Sequence, residues 1–261
     1  MVSFRYLKKG SLAYRLWSLF CTKFLFSSAL HLLLDRLFKF AISIVFPPSC
    51  VLCKRHAPFD FELCDICLSD IKFIDSSICV ICGIRHAFNT CTSPYPTEAA
   101  IIYNKTAARL LYSFKYKDKT RIGKIFGVWL RECGKNIIQN SNIIAPVPLH
   151  RQRLQKRKYN QSLILAQEIS KHYKHIKLIP NLLLRRKNTT PQYQLTSTER
   201  IGNISNAFEC NPRYASMISG KRILIVDDIL TTGATTKECA RALDGLEPCQ
   251  VSILALARTV R

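Results

Sequence analysis

The 261-residue chain predicts an α/β domain with a mainly parallel sheet covered by helices on both faces, preceded by a small cysteine-rich module. Three observations predict this. From about residue 99 short apolar runs alternate with helical stretches. One run, Ile223 to Val226, leads into two acids and a small-residue turn. Six of the twelve cysteines stand as three Cys-x-x-Cys pairs. The expected organisation is a basic, apolar helical extension over 1–46, a zinc-binding module over 47–96 and the α/β domain over 97–261.

Residues 1 to about 46 contain Asp35 as their only acid, and the apolar spacing from Leu30 to Val45 fits one face of a helix. Charges are scattered and no small-residue cleavage site follows, which argues against a signal peptide. Lys23, Asp35, Arg36 and Lys39 interrupt every apolar run before the roughly 18 residues a membrane span needs. A peripheral membrane contact through this helix, with Trp17, Phe20, Phe24 and Phe26, is compatible with the pattern. So is packing of its second half on the protein's own body.

Pro47-Pro48 ends that helix and opens the cysteine module. Cys50-x-x-Cys53 and Cys64-x-x-Cys67 make two knuckles of the spacing that holds one structural Zn²⁺ through four thiolates. Paired knuckles point to metal in a reducing compartment, hence a cytoplasmic location, rather than to a disulfide framework. A second set is incomplete: Cys79, Cys82 and Cys91, with Pro94 where a fourth cysteine would stand. Three arrangements fit it: His86 completes a site, the site has decayed into buried thiols, or Cys79 and Cys82 join the first set.

Beyond the module, Ala100–Tyr103 reads as a strand, followed by helices at about 105–116 and 121–139. Ile143–Val147 is a second strand that delivers a basic loop, residues 148–160, before a helix from Gln161 to Tyr173. A strand over about 176–180 precedes a polar segment, 185–206, with few apolar anchors, which reads as a loop. The last strand is Gln250–Ala255.

Between them lies the stretch Arg222 to Glu238. Its apolar run reads as a strand buried on both faces. Asp227 and Asp228 follow, then Thr231-Thr232-Gly233-Ala234-Thr235, then a helix from about Thr236, where Thr235 and Glu238 have capping-box spacing. Gly233 permits a tight turn, and the helix N-terminus adds partial positive charge for a phosphate. The acids suit sugar hydroxyls or a divalent cation. This stretch resembles, residue by residue, the phosphoribosyl-pyrophosphate (PRPP) signature of type I phosphoribosyltransferases. The resemblance implies that Asp227 and Asp228 hold the ribose hydroxyls and that Thr231, Thr232, Gly233, Ala234 and Thr235 wrap the 5′-phosphate.

Residues 33–259 as a whole resemble the ComF/GntX family, phosphoribosyltransferase-like proteins with an N-terminal cysteine module. Besides the knuckles and the PRPP stretch, the residues that carry this are Phe114-Lys115-Tyr116, Pro146 to Arg151 with Arg153, and Arg157 to Gln161. Arg186, Gln192, Arg200, Asn203 and Ala207-Phe208 complete the set. Two departures stand out. Lys158 replaces a glycine, which puts a side chain where a turn can need positive φ, and the fourth cysteine of the second set is missing. The family implies a part in DNA uptake during natural competence.

Two classes of function follow. As an enzyme, the protein would bind PRPP with Mg²⁺ across its pyrophosphate and pass the phosphoribosyl group to an acceptor the motif does not identify. Arg151, with His150 and Arg153, would stabilise the departing pyrophosphate, while Asp227 and Asp228 hold the sugar. As a binding module, it would handle single-stranded DNA, with the PRPP pocket kept as a sensor or relic, alongside other competence machinery. A formal net charge of +22 favours a polyanion partner, although a solvated basic surface has the same composition.

Overall fold

A computed structural model describes residues 49–58, 63–84, 91–116, 120–186 and 207–260. The N-terminal helix, His86 and the polar loop residues Gln192, Arg200 and Asn203 lie outside the described residues. Among the described residues, no helix is long and apolar enough to cross a membrane.

The described elements are α1 (Asp65–Ser69), β1 (Thr97–Ile102), α2 (Lys105–Tyr116), α3 (Ile122–Cys133), α4 (Lys135–Gln139), β2 (Ile143–Pro146), α5 (Arg151–Arg157), α6 (Gln161–Ser170), β3 (Lys177–Leu178), β4 (Leu183–Arg185), β5 (Phe208–Cys210), a 3₁₀ turn (Pro212–Tyr214), α7 (Ala215–Ile218), β6 (Arg222–Leu230), α8 (Ala234–Asp244) and β7 (Gln250–Arg258). Five strands form one parallel sheet in the order β1-β7-β6-β2-β3, and β4 pairs with β5 in a separate antiparallel ribbon. The predicted α/β class is the observed one.

Burial on both faces explains the continuous apolar strands. Ile144, Leu224, Val226 and Leu254 meet helices α2, α3 and α6 through Leu110, Phe114, Phe126 and Leu165. Ile143, Ile223, Ile225 and Val251 alternate with them and meet α8 and β5 through Cys239, Leu243 and Phe208. The first cysteine knuckles share the former core, contributing Cys50, Val51, Leu63, Cys64 and Cys67. The link between the two cysteine sets covers the outer edge of β1, where the Ile74 amide donates to the Ala100 carbonyl and the Ile102 amide to the Lys72 carbonyl.

Four sequence expectations are corrected. The helix expected over 121–139 is two, α3 and α4, broken at Gly134. The loop expected over 148–160 contains a helix, α5, capped by His150, whose Nδ1 accepts from the Gln152 amide at 3.4 Å. Strand β6 does not stop at Val226 but runs through both acids to Leu230, because β7 continues beside it. The helix after the turn begins at Ala234 rather than Thr236. Its N-cap is Gly233, not Thr235, and Glu238 pairs with Arg241 at 2.8 Å instead of closing a capping box.

Candidate functional site

Sheet order locates the site before any side chain is considered. From β2 the chain moves outward to β3, and from β6 it moves outward to β7 on the other side. The crevice at the carboxyl ends of β2 and β6 is therefore the switch point where open α/β sheets take ligands. β2 ends at Pro146, opposite Val226, whereas β6 goes on. Asp227 and Asp228 are the first two residues of β6 beyond the end of β2, and residues 147–160 and 231–235 flank them.

The two acids point apart, as successive strand residues do. Asp227 is 8% exposed; its Oδ1 accepts from Ser162 Oγ at 3.1 Å and from the Asp228 amide at 2.8 Å. Burial, and next the charge of Asp228, raise its carboxyl to about 7, against the pull of that amide, Lys115 and Ser162. Asp227 is thus part of the packing as well as of the crevice. Asp228 Oδ2 meets Lys115 Nζ at 2.7 Å, with both side chains largely covered.

The turn expected to take a phosphate is tight at Gly233, as predicted, but its last two residues, Ala234 and Thr235, already belong to α8. Gly233 takes φ 75°, and a Cβ there would meet only Lys237 Cε, at 3.9 Å, so the space above the turn is open. The N-cap of α8 is Gly233, which has no side chain to offer the helix's first amides, and the helix N-terminus carries partial positive charge that suits an anion. Thr232 Oγ1 accepts from the Ala234 amide at 3.3 Å and holds the turn.

The basic segment is tied to this rim. Lys158 has φ 67°, so a lysine sits in the left-handed conformation that the missing glycine led one to expect. Asn160 Nδ2 donates to the Val147 carbonyl at 3.0 Å, and its Oδ1 caps α6 by accepting from the Ser162 amide at 3.0 Å. The Tyr159 hydroxyl donates to the Phe114 carbonyl, which draws the segment onto the end of α2. Arg157 donates to Gln161 Oε1 and to the Tyr116 hydroxyl, each at 3.2 Å. Gln161 is 1% exposed, and its Nε2 makes no hydrogen bond among the described residues. A buried donor without an acceptor beside a polyanion crevice fits an oxygen-rich ligand.

Sequence reasoning missed Lys115, Ser162 and Arg185 as site residues. Lys115 had been noted only as part of a motif, and Arg185 is brought in by the β4–β5 ribbon. Burial and then the charge of Arg153 bring the Arg185 guanidinium down to about 10; Arg157 pushes the same way and Asp227 opposes. Arg185 thus feels the charges of Arg153 and Arg157 on α5 as well as that of Asp227. His150 and Arg151 lie at the start of α5; Arg151 is exposed.

The cysteine module holds two thiol clusters. The sulfurs of Cys50, Cys53, Cys64 and Cys67 lie within 4.8 Å of one another, and Cys53 Sγ is 3.5 Å from Cys64 Sγ. Tetrahedral thiolates at about 2.3 Å from Zn²⁺ are about 3.8 Å apart, so the donor set fits the ion. Burial opposes ionisation of Cys50, but the Cys64, Cys53 and Leu52 amides bring its thiol down to about 6. Cys79, Cys82 and Cys91 form the second cluster, also within 4.8 Å. The crossed arrangement is not the observed one, since Cys79 and Cys82 group with Cys91.

Residues 41–98 match the double zinc ribbon domain model, and residues 160–259 match the phosphoribosyl transferase domain model. The chain is 27% identical over 232 residues to DNA utilization protein YhgH of Escherichia coli K12, covering 82% of this chain and 98% of that protein. It is 26% identical over 211 residues to competence protein F of Haemophilus influenzae, covering 81% and 85%. Competence protein ComFC of Bacillus subtilis is 26% identical over 200 residues, covering 70% and 78%. The chain thus carries a double zinc ribbon domain followed by a phosphoribosyl transferase domain, and over most of its length it is similar to proteins named for competence and DNA utilization.

Proposed function

We propose that the protein binds PRPP with Mg²⁺ at the β2–β6 crevice, in the service of the DNA uptake or use for which its relatives are named. The observation that carries this is the union of three features at one switch point: an acid pair, a helix N-terminus behind an open glycine turn, and basic side chains from α5 and β4. Asp227 and Asp228 would accept hydrogen bonds from the ribose hydroxyls. Thr231 to Thr235 would enclose the 5′-phosphate. His150, Arg151 and Arg153, joined by Arg157 and Arg185, would face the pyrophosphate. Mg²⁺ across the pyrophosphate would neutralise charge on the leaving group. Lys115 keeps Asp228 neutralised in the free protein and would turn to the incoming anion once the sugar takes the carboxylate.

Zn²⁺ is assigned to Cys50, Cys53, Cys64 and Cys67 as a structural ion, with Cys79, Cys82 and Cys91 as three ligands of a second. Calorimetric titration of the full chain with PRPP and Mg²⁺ tests the crevice; absence of binding overturns the reading. A screen of nucleobases and amines for acceptor-dependent pyrophosphate release then tests transfer.

A second reading, single-stranded DNA binding on the same rim, is favoured by one further observation. The Tyr112 and Tyr116 rings lie 5.1 Å apart, tilted at 41°, with 55% and 45% of their surfaces exposed, and the Arg157 guanidinium lies 5.3 Å over the Tyr116 ring. Exposed aromatics beside cations suit bases and phosphates. Replacing Arg157 and Lys158 with alanine should flatten the salt dependence of DNA binding by about two units at most, and PRPP should compete with the strand. An unchanged slope moves the DNA site off this rim.

A further inference from the structure

The second cysteine knuckle and the phosphate turn are joined by one side chain. Arg258, the last residue of β7, is 3% exposed. Its Nε donates to the Val80 carbonyl at 2.8 Å and its Nη2 to the Ile81 carbonyl at 3.0 Å, both inside the Cys79–Cys82 knuckle. Its Nη1 donates to the Leu230 carbonyl at 3.0 Å and to the Thr231 carbonyl, where the phosphate turn begins. A planar guanidinium with a fixed fork can serve four carbonyls at once, and a lysine cannot.

The fit is close on the knuckle side. Gly83 takes φ 75°, and a Cβ there would come within 2.5 Å of the Thr259 carbonyl oxygen and 3.0 Å of Arg258 Nη2. Val80 packs with Ala99, Leu230, Ile253 and Ala255 in a small cluster of its own. Behind the turn, Val80, Ile81, Gly233, Thr236, Lys237 and Arg258 line one narrow crevice. The first cluster instead meets the helices through the main core and through Arg109, which donates to the Leu52 carbonyl at 3.3 Å.

We propose that Arg258 is a positioning residue for PRPP, fixing the backbone of the phosphate turn against the second cysteine knuckle. The knuckle's integrity and the ligand's affinity are then linked, and the link runs both ways. The proposal rests on the PRPP reading above, and its test separates the two.

Arg258→Met and Cys82→Ser should each weaken PRPP binding by about tenfold, a usual size for coupling between sites. Because both act through one contact, the double variant should be no weaker than the stronger single variant. Arg258→Lys, which keeps the charge but not the fork, should recover only part of the affinity and serves if the methionine variant does not fold. Hydrogen exchange over residues 230–236 in PRPP-free protein should rise in each variant, while the melting temperature falls by no more than a few degrees and the first cluster's zinc stays as in the parent. Full additivity in the double variant, or unchanged exchange over 230–236, overturns the proposal. If the unmodified protein fails to bind PRPP, the functional reading falls, and the exchange measurement still decides for or against Arg258.

Discussion

The two thiol clusters occupy one module yet are built into the protein in different ways. The first has four cysteines and shares its apolar side chains with the core beneath α2 and α3. The second has three, packs a small group of residues at the β1–β7–β6 edge, and contacts the phosphate turn through polar groups of Arg258. Apolar contact is proportional to area and supports stability over a whole region. Hydrogen bonds from a rigid fork fix a few backbone atoms in place. Metal at the first cluster therefore acts on the fold, and order at the second acts on the site.

The largest expected effect sharpens this contrast. Cys64→Ser removes a buried member of the complete set and should cost more than about 3 kcal/mol, a large share of a domain's total stability. Thermal unfolding with zinc analysis measures it. Cys91→Ser, in the incomplete set, should lower the melting temperature by only a few degrees and leave the first ion in place. Equal losses from the two substitutions would erase the distinction.

Next in size is the acid pair, which sets the ceiling for anything the second cluster does to binding. Asp227→Asn with Asp228→Asn should abolish measurable PRPP binding, since charged acceptors contribute about 1.5–3 kcal/mol each. Zinc content should be unchanged, because neither acid touches a cluster. Affinity equal to the parent's in calorimetry would move PRPP elsewhere.

A smaller effect is pH dependence. Burial and the charge of Asp228 push the Asp227 carboxyl up to about 7 in the free protein, and the ribose hydroxyls need its ionised form as acceptor. Below pH 7 binding must expel a proton, so affinity should fall by about tenfold per pH unit toward pH 6 and level off above pH 8. Calorimetry in buffers of different ionisation enthalpy reads the proton directly. Asp227→Asn should remove that released proton; a persisting release would assign it to PRPP itself or to another group.

The smallest effect tests a position in neither cluster. Lys158 holds φ 67°, a conformation costing a side chain about 1–2 kcal/mol. Glycine removes that cost but gains freedom in the unfolded chain. Lys158→Gly should therefore raise stability by no more than about 1 kcal/mol, seen as a slight rise in melting temperature with both clusters untouched. A marked fall would mean that the lysine side chain itself supports the rim.

Much of this was legible in the chain. Apolar runs such as Ile223–Val226 announce strands buried on both faces, because a helix-covered parallel sheet leaves no polar face. Cysteine spacing announces a tetrahedral site, because two knuckles are what bring four sulfurs within reach of one ion. The acid pair and the glycine turn are local in sequence, and so is their chemistry. What depended on the tertiary structure is non-local. Strand β6 extends through its acids because β7 runs alongside, a pairing no window around Asp227 reveals. Helix α8 starts at Ala234, with Gly233 as its N-cap, because the positive φ there already closes the turn, so Thr235 lies inside the helix rather than at its N-cap. Lys115 reaches Asp228 across 113 positions, and Arg185 and Ser162 come from two further elements. Arg258 lies beyond the strand expected to end at Ala255, and nothing local in the sequence singles it out. Only the meeting of β7, the phosphate turn and the second knuckle supplies the four carbonyls that make its burial favourable.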